Sequence, residues 1–242
     1  MILLFTDFGL AGPYQGQVKA VLHRLAPSQT VVDLFADAPF GNAKAGAYLV
    51  SAYSREFPTG SVFLCVVDPG VGSERRAVIV RADERWFVGP DNGIFHAVVS
   101  HASTCDAWEI TWRPEKLSSS FHGRDLFAPM AADLARGHFP DGTQPIEPEE
   151  LRHEWPDDLN EVVYVDHFGN AITGVRADSV SDGVRLQVDG KQLSWASTFS
   201  EVSPGEAFWY ENANSLVEIA VNQGSASAQL GLQVGSAIKL LE

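Results

Sequence analysis

The chain reads as an α/β protein, with an N-terminal α/β sandwich domain built on a central, mostly parallel sheet and a small C-terminal antiparallel β-barrel domain. Three observations predict this. Across residues 1–140, short β-branched runs alternate with longer amphipathic ones, the pattern of strands joined by crossover helices. Residues 141–158 turn abruptly to Pro, Asp and Glu, a composition that reads as a linker. From 159 to 242 the apolar runs are short and separated by Gly, Asp, Asn or Ser, the spacing of a small antiparallel sandwich or barrel.

In the first domain the spacing predicts strands at 2–6, 30–35 and 61–67, with helices at 14–25 and 43–57 between them. A hairpin at 77–81 and 85–88, a short helix at 92–100 and a last helix at 125–136 complete it. In the second domain strands are expected at 161–165, 171–175, 184–188, 207–210, 216–221 and 237–240.

Bulk properties exclude several functions. With 45% hydrophobic and 20% charged residues the chain is an ordinary folded protein. Its longest apolar stretches are strand-sized, and Met1-Ile2-Leu3-Leu4-Phe5 carries no basic flank or cleavage site, so no membrane span or leader is expected. A net charge of −14 disfavours nucleic-acid partners. Two cysteines make no disulfide framework and fit a reducing cytoplasm. None of the seven histidines shows paired zinc-site spacing, so no metal is expected.

Polar residues follow directly on apolar strand-like runs, where open α/β sheets expose groups to ligand. Thr6-Asp7-Phe8-Gly9 ends the first strand, and Asp7 is placed either to accept both hydroxyls of a vicinal diol or to cap the next helix. Asp68-Pro69-Gly70-Val71-Gly72 presents a carboxylate on a rigid turn, with Arg75 and Arg76 able to fold back; the glycine spacing is wrong for a P-loop. Gly89-Pro90-Asp91-Asn92-Gly93 is a dense turn signal beside the pocket. His122, in Phe121-His122-Gly123-Arg124-Asp125, is suited to proton exchange near neutral pH. In the second domain Asp166-His167-Phe168-Gly169-Asn170 and Asn212-Ala213-Asn214-Ser215 offer amides and carboxylates around an aromatic face, or else tight Asx turns.

Together, in order and spacing from end to end, these motifs resemble the S-adenosyl-L-methionine (SAM) hydroxide adenosyltransferases, relatives of the SAM-dependent fluorinase and chlorinase. The resemblance implies hydrolysis of SAM to adenosine and L-methionine, with SAM as substrate and no cofactor, in a homotrimer whose sites lie between subunits. It implies Asp68, Arg75 and His122 as the catalytic set around a water molecule, and Asp7 as the ribose ligand. Phe8 and Phe40 fall where relatives hold the nucleoside, and Asp166, Phe168 and Asn170 where they hold the methionine and adenine ends. Ser215 and the stretch from Asn222 to Ala226 would complete the pocket. Halogenating relatives carry a tyrosine at the position of Asp68 and a threonine at that of Val71, so a water site replaces the halide site here. Leu216 stands where they have an arginine, and Gly12 where many members have an acidic residue. The alternatives are a SAM-dependent halogenase and a SAM- or adenosine-binding sensor without turnover.

Overall fold

A computed structural model describes residues 1–181 and 183–241, which form two compact units, Met1–Trp155 and Pro156–Glu242. The first unit begins with β1 (Ile2–Thr6), every residue of which is buried, as expected of a strand covered on both faces. Helix α1 (Tyr14–Leu25) turns Val18 and Leu22 inward and places His23 and Arg24 in its last turn, where cations favour the helix dipole. Then follow β2 (Val31–Phe35) and α2 (Ala43–Ser54), the latter capped by Asn42, whose side chain accepts from the Ala45 amide at 3.0 Å. Strands β3 (Val62–Val66), β4 (Ala77–Ala82) and β5 (Arg85–Pro90) precede α3 (His96–His101) and β6 (Cys105–Ile110). A single π-helical turn over 123–127 runs into α4 (Ala128–Ala135), and β7 (Thr143–Ile146) closes the sheet.

The strand order is β2-β1-β3-β5-β4-β6-β7. The first four strands are parallel, but β4, β6 and β7 are joined by antiparallel pairings, so the sheet is mixed rather than mostly parallel. The cause is local. Asp83 and Glu84 adopt φ of 45° and 64°, a two-residue hairpin turn too short for a crossover, so β4 must run against β5. Strands β6 and β7 extend that antiparallel half. Their sequences, Cys-Asp-Ala-Trp-Glu-Ile and Thr-Gln-Pro-Ile, carry too little apolar alternation to be read as strands beforehand. The stretch expected as a linker also departs from that reading: it holds β7 and a 3₁₀ turn (Pro148–Leu151) with Leu151 buried, and the first unit continues to Trp155.

Alternation along β1 divides the core between the two sheet faces. Ile2 and Leu4 join Leu64, Val88, Val18, Leu22 and the apolar side of α4 in one cluster. On the other face Gly46 of α2 lies over Phe5, where an added Cβ would stand 3.4 Å from the ring.

The second unit comprises β8 (Leu159–Val165), β9 (Ala171–Arg176), β10 (Arg185–Val188), β11 (Lys191–Trp195), β12 (Ala207–Glu211), β13 (Leu216–Val221), the five-residue helix α5 (Ala226–Leu230) and β14 (Lys239–Leu241). Their order is β14-β10-β11-β12-β13-β9-β8, antiparallel except between β11 and β12, in a sheet curled into a half-barrel. Its two ends approach: Val162 N–H donates to the Ser236 carbonyl at 2.8 Å and Ile238 N–H to that of Asn160 at 3.0 Å. Trp209 and Ile219 fill the interior.

Leu64 is wholly buried at the centre of the first unit's sheet. Leu64→Ala is expected to cost about 2–5 kcal/mol through lost burial and the cavity left behind, read as a lower midpoint in urea unfolding; a change below about 0.5 kcal/mol would contradict this packing.

Candidate active site

Strands β1 and β3 lie side by side in parallel and end together, so the residues just beyond them, Asp7 and Asp68, emerge at the same sheet edge. The loop after β3 folds back on itself, with Ser73 Oγ donating to the Gly70 carbonyl at 2.7 Å. Gly72, at φ 83°, lets this loop touch the one carrying His122, since an added Cβ would come within 2.5 Å of the Ser119 carbonyl oxygen.

That approach brings Asp68, Arg75 and His122 into one contiguous group. Arg75 grips Asp68 with two donors: Nε reaches Oδ1 at 2.7 Å, and the second bond runs from Nη2 to Oδ2. The two side chains are nearly closed off, 9% and 4% exposed. Arg75 Nη2 also stands 3.1 Å from His122 Nδ1, Nη1 donates to the Arg76 carbonyl at 3.3 Å, and the guanidinium lies 5.4 Å from the Phe127 ring centre. A guanidinium has no acceptor, so Nδ1 must accept; His122 is therefore neutral with its proton on Nε2. Its pKa is lowered by burial and by the Arg75 charge, which agrees with that tautomer.

A cavity of about 310 Å³ opens beside this group, lined by Asp7, Phe8, Phe40 and Gly41 on one side and by Asp68, Val71, Phe121 and His122 on the other. Asp7 Oδ2 accepts from the Gly41 amide at 2.9 Å, and burial raises its pKa against that hydrogen bond. Phe8 packs edge-on against Phe121, their centroids 5.8 Å apart, while Phe40 is 91% exposed.

The second unit has its own cleft, of about 690 Å³, lined among others by Asp166, Phe168, Asn170, Tyr210 and Glu218. Asp166 Oδ1 accepts from the amides of Phe168 at 2.9 Å and Asn170 at 2.8 Å, an Asx turn that holds Phe168 out at 75% exposure. Glu218, only 4% exposed, accepts from Tyr210 Oη at 2.5 Å and Asn212 Nδ2 at 2.9 Å, and burial raises its pKa.

Comparison with known proteins places both units. Residues 2–143 match the SAM hydroxide adenosyltransferase N-terminal domain and residues 160–239 the C-terminal domain of the same family. The chain belongs to the SAM hydroxide adenosyltransferase family. Relatives at full length include the (R)-S-adenosyl-L-methionine hydrolase of Thermus thermophilus, 39% identical with 99% of each chain covered, and that of Salinispora tropica, 35% identical with 97% and 95% covered. A fluorinase from Nocardia brasiliensis is more distant, at 25% identity over 99% and 96%. Among solved structures, a conserved protein from Thermotoga maritima superposes with a TM-score of 0.89 at 32% identity, each chain covered completely.

Within this hydroxide adenosyltransferase, the residues picked from the sequence divide into those that meet and those that do not. Asp7, Phe8, Phe40, Asp68 and His122 share the first cavity, with Arg75 directly behind; Asp166, Phe168 and Asn170 share the second. Ser215 sits in the β12–β13 turn at φ 56°, its amide bonded to the Asn212 carbonyl at 3.0 Å. Asn222 donates to the Val202 carbonyl at 2.8 Å, and Ala226 is packed in the core at the start of α5. None of these three side chains lines the second cleft, but Gln223 and Gly224, within the 222–226 stretch, do. Sequence reasoning passed over Phe121 as a lining residue, and Tyr210 and Glu218 altogether. The signal for Glu218 was present, since it is the one charged residue in the otherwise apolar run of β13. Among the described residues no group of three or more His, Cys, Asp and Glu is gathered to hold a metal, and no helix is long and apolar enough to cross a membrane.

His122 is expected to titrate below its ordinary 6.5 and to stay neutral at pH 7, read from its imidazole NMR signals. In Arg75→Gln the loss of the adjacent charge should move that titration upward; an unchanged midpoint would contradict the contact.

Proposed function

We propose that this chain hydrolyses (R)-S-adenosyl-L-methionine to adenosine and L-methionine by adding water at C5′ of the ribose. The observation that carries the reading is the shared guanidinium of Arg75, which locks Asp68 and a neutral His122 beside one cavity. Hydrolases carrying that substrate in their names align with the chain over nearly its whole length.

The chemistry asks little of an acid. A sulfonium leaves as a neutral thioether, so the pair of the C5′–S bond stays on sulfur without protonation. The demand falls on the nucleophile, which must stand in line behind C5′ at roughly 3–3.5 Å. With its proton on Nε2, His122 offers a donor that orients the water oxygen. Asp68, whose oxygens keep lone pairs beyond those given to Arg75, is the acceptor for the proton released as the O–C5′ bond forms. Arg75 balances the charge, and the products are adenosine, methionine and one proton passed to solvent.

Around this centre Asp7 takes the ribose diol, whose two donors would stabilise a carboxylate that burial now opposes. Phe8 and Phe40 hold the nucleoside, and Asp166, Phe168 and Asn170 the adenine and methionine ends, with Ser215 and the chain from Asn222 to Ala226 completing that side. We further read the curled sheet as a small β-barrel, and the working assembly as a homotrimer that joins clefts from different copies; what supports this is that each unit alone carries an open cleft with an exposed phenylalanine. The setting is cytoplasmic, in keeping with the free thiols of Cys65 and Cys105, with neither cofactor nor metal, nucleic acid nor membrane as a partner. A halide nucleophile is disfavoured, because the Asp68 carboxylate would repel an anion where relatives that use halide are expected to present tyrosine.

Purified protein given SAM in ¹⁸O-water should yield methionine and adenosine labelled at the 5′-hydroxyl, and from a mixture of sulfonium epimers should consume the (R) form first. Label in methionine instead, or chlorinated nucleoside in the presence of chloride, would refute the reading. Asp68→Ala, Arg75→Ala and His122→Ala are each expected to lower kcat by about 10²- to 10⁴-fold; unchanged turnover in all three would remove the assignment. Because protonation puts a hydrogen on Nδ1 against Arg75, activity should fall on the acid side only below the ordinary histidine value of 6.5.

A further inference from the structure

The Gly89-Pro90-Asp91-Asn92-Gly93 turn has no part in the chemistry described so far, yet it bonds to the chain on both sides of that chemistry. Asn92 Nδ2 donates to the carbonyl of Val67, the residue before Asp68, at 2.8 Å. Asn92 Oδ1 in turn accepts from the Ile94 amide at 3.3 Å, which fixes the side chain's orientation. On the other side the Asp91 amide donates to the carbonyl of Arg76, the residue after Arg75, at 3.0 Å, and Arg76 Nε returns to Asp91 Oδ2 at 2.7 Å. That same Arg76 carbonyl accepts from Arg75 Nη1 at 3.3 Å. Arg76 is held from outside by Glu150 at 2.8 Å, in the 3₁₀ turn that follows β7.

We infer that Asn92, Asp91 and Arg76 are positioning residues, a clamp that sets the distance between Asp68 and Arg75 by gripping the backbone at positions 67 and 76. The turn stands at the end of β5, the parallel neighbour of β3, so the sheet itself supplies the rigid base. None of the three lines the cavity, which separates them from groups that touch substrate. The intervening loop, 69–74, is exposed at several positions and contains Gly70 and Gly72, so the clamp fixes its two ends and adds backbone anchors to the bonds Arg75 itself makes with Asp68 and His122. Displacements of about 1 Å at a reacting centre cost as much as 100-fold in rate.

The inference rests on the hydrolase reading for its kinetic half only. The test compares Asn92→Ala and Arg76→Gln with the wild type by kcat and KM for SAM, and by the His122 titration in ligand-free protein. Four charged groups act on His122: Arg75 and Arg113 push its pKa down, Asp68 and Asp125 push it up, beneath a larger lowering from burial. Loosening Arg75 should therefore raise it. We expect kcat to fall roughly 10- to 100-fold, KM to change less than about threefold, and His122 to titrate higher. Folded variants with wild-type kcat and an unmoved His122 would overturn the clamp, even if their melting temperature drops, because that pattern is stability alone. Should Asn92→Ala not fold, Arg76→Gln, whose side chain is 28% exposed, carries the same comparison. A wild type that releases no adenosine would sink the hydrolase reading, and the titration would still decide the clamp.

Discussion

Everything at the candidate site turns on how one guanidinium is shared. Burying an ion pair is expensive, and the Asp68–Arg75 pair is nearly closed to solvent, so it persists only because its geometry is excellent and its remaining donors find partners. Arg75 meets that condition by dividing its hydrogens among the Asp68 carboxylate, the Arg76 carbonyl and the His122 ring, with the Phe127 face behind it. The division has a chemical consequence. It forbids a proton on His122 Nδ1, which makes the histidine a donor toward the cavity and leaves Asp68 as the acceptor. A pair that would contribute little as a surface salt bridge thus decides the protonation states of the site.

The fold serves this arrangement by ending parallel strands together. Strands β1 and β3 deliver Asp7 and Asp68 to one edge, and the wall opposite comes from the loop before the π-helical turn, reached only because Gly72 has no side chain to obstruct it. A sulfonium substrate suits so spare a centre. Its leaving group needs no acid and no metal, and the protein's task reduces to holding one weak nucleophile in line.

Much of this was legible in the residues. The runs at β1, α1, β2, α2 and β3 have the periodicity their environments demand, because strands buried on both faces must be apolar throughout. Asp7 and Asp68 stood out because polar groups just beyond such strands have few other places to go, and His122 because it stands at the start of a helical segment. The mixed character of the sheet was less legible, although the Asp83-Glu84 turn already required it. In β6 the buried Ala107 and Ile110 are interrupted by Asp106 and Glu109, and β7 carries only Ile146 as an apolar aliphatic residue, so neither leaves a clear apolar alternation. The supposed linker misled for a related reason: Pro, Asp and Glu can decorate an edge strand and a capped 3₁₀ turn as well as a loop. In the second unit Glu218 was overlooked because a single charge within β13 looks like noise until Tyr210 and Asn212 are seen to hold it.

The most direct measurement is a crystal structure with adenosine and L-methionine bound. The account predicts the adenosine 5′-oxygen within about 2.6–3.2 Å of both Asp68 and His122 Nε2, opposite the methionine sulfur, with Arg75 still bonded to His122 Nδ1. A nucleoside whose 5′-carbon faces away from these side chains, or an Arg75 released from His122, would contradict it.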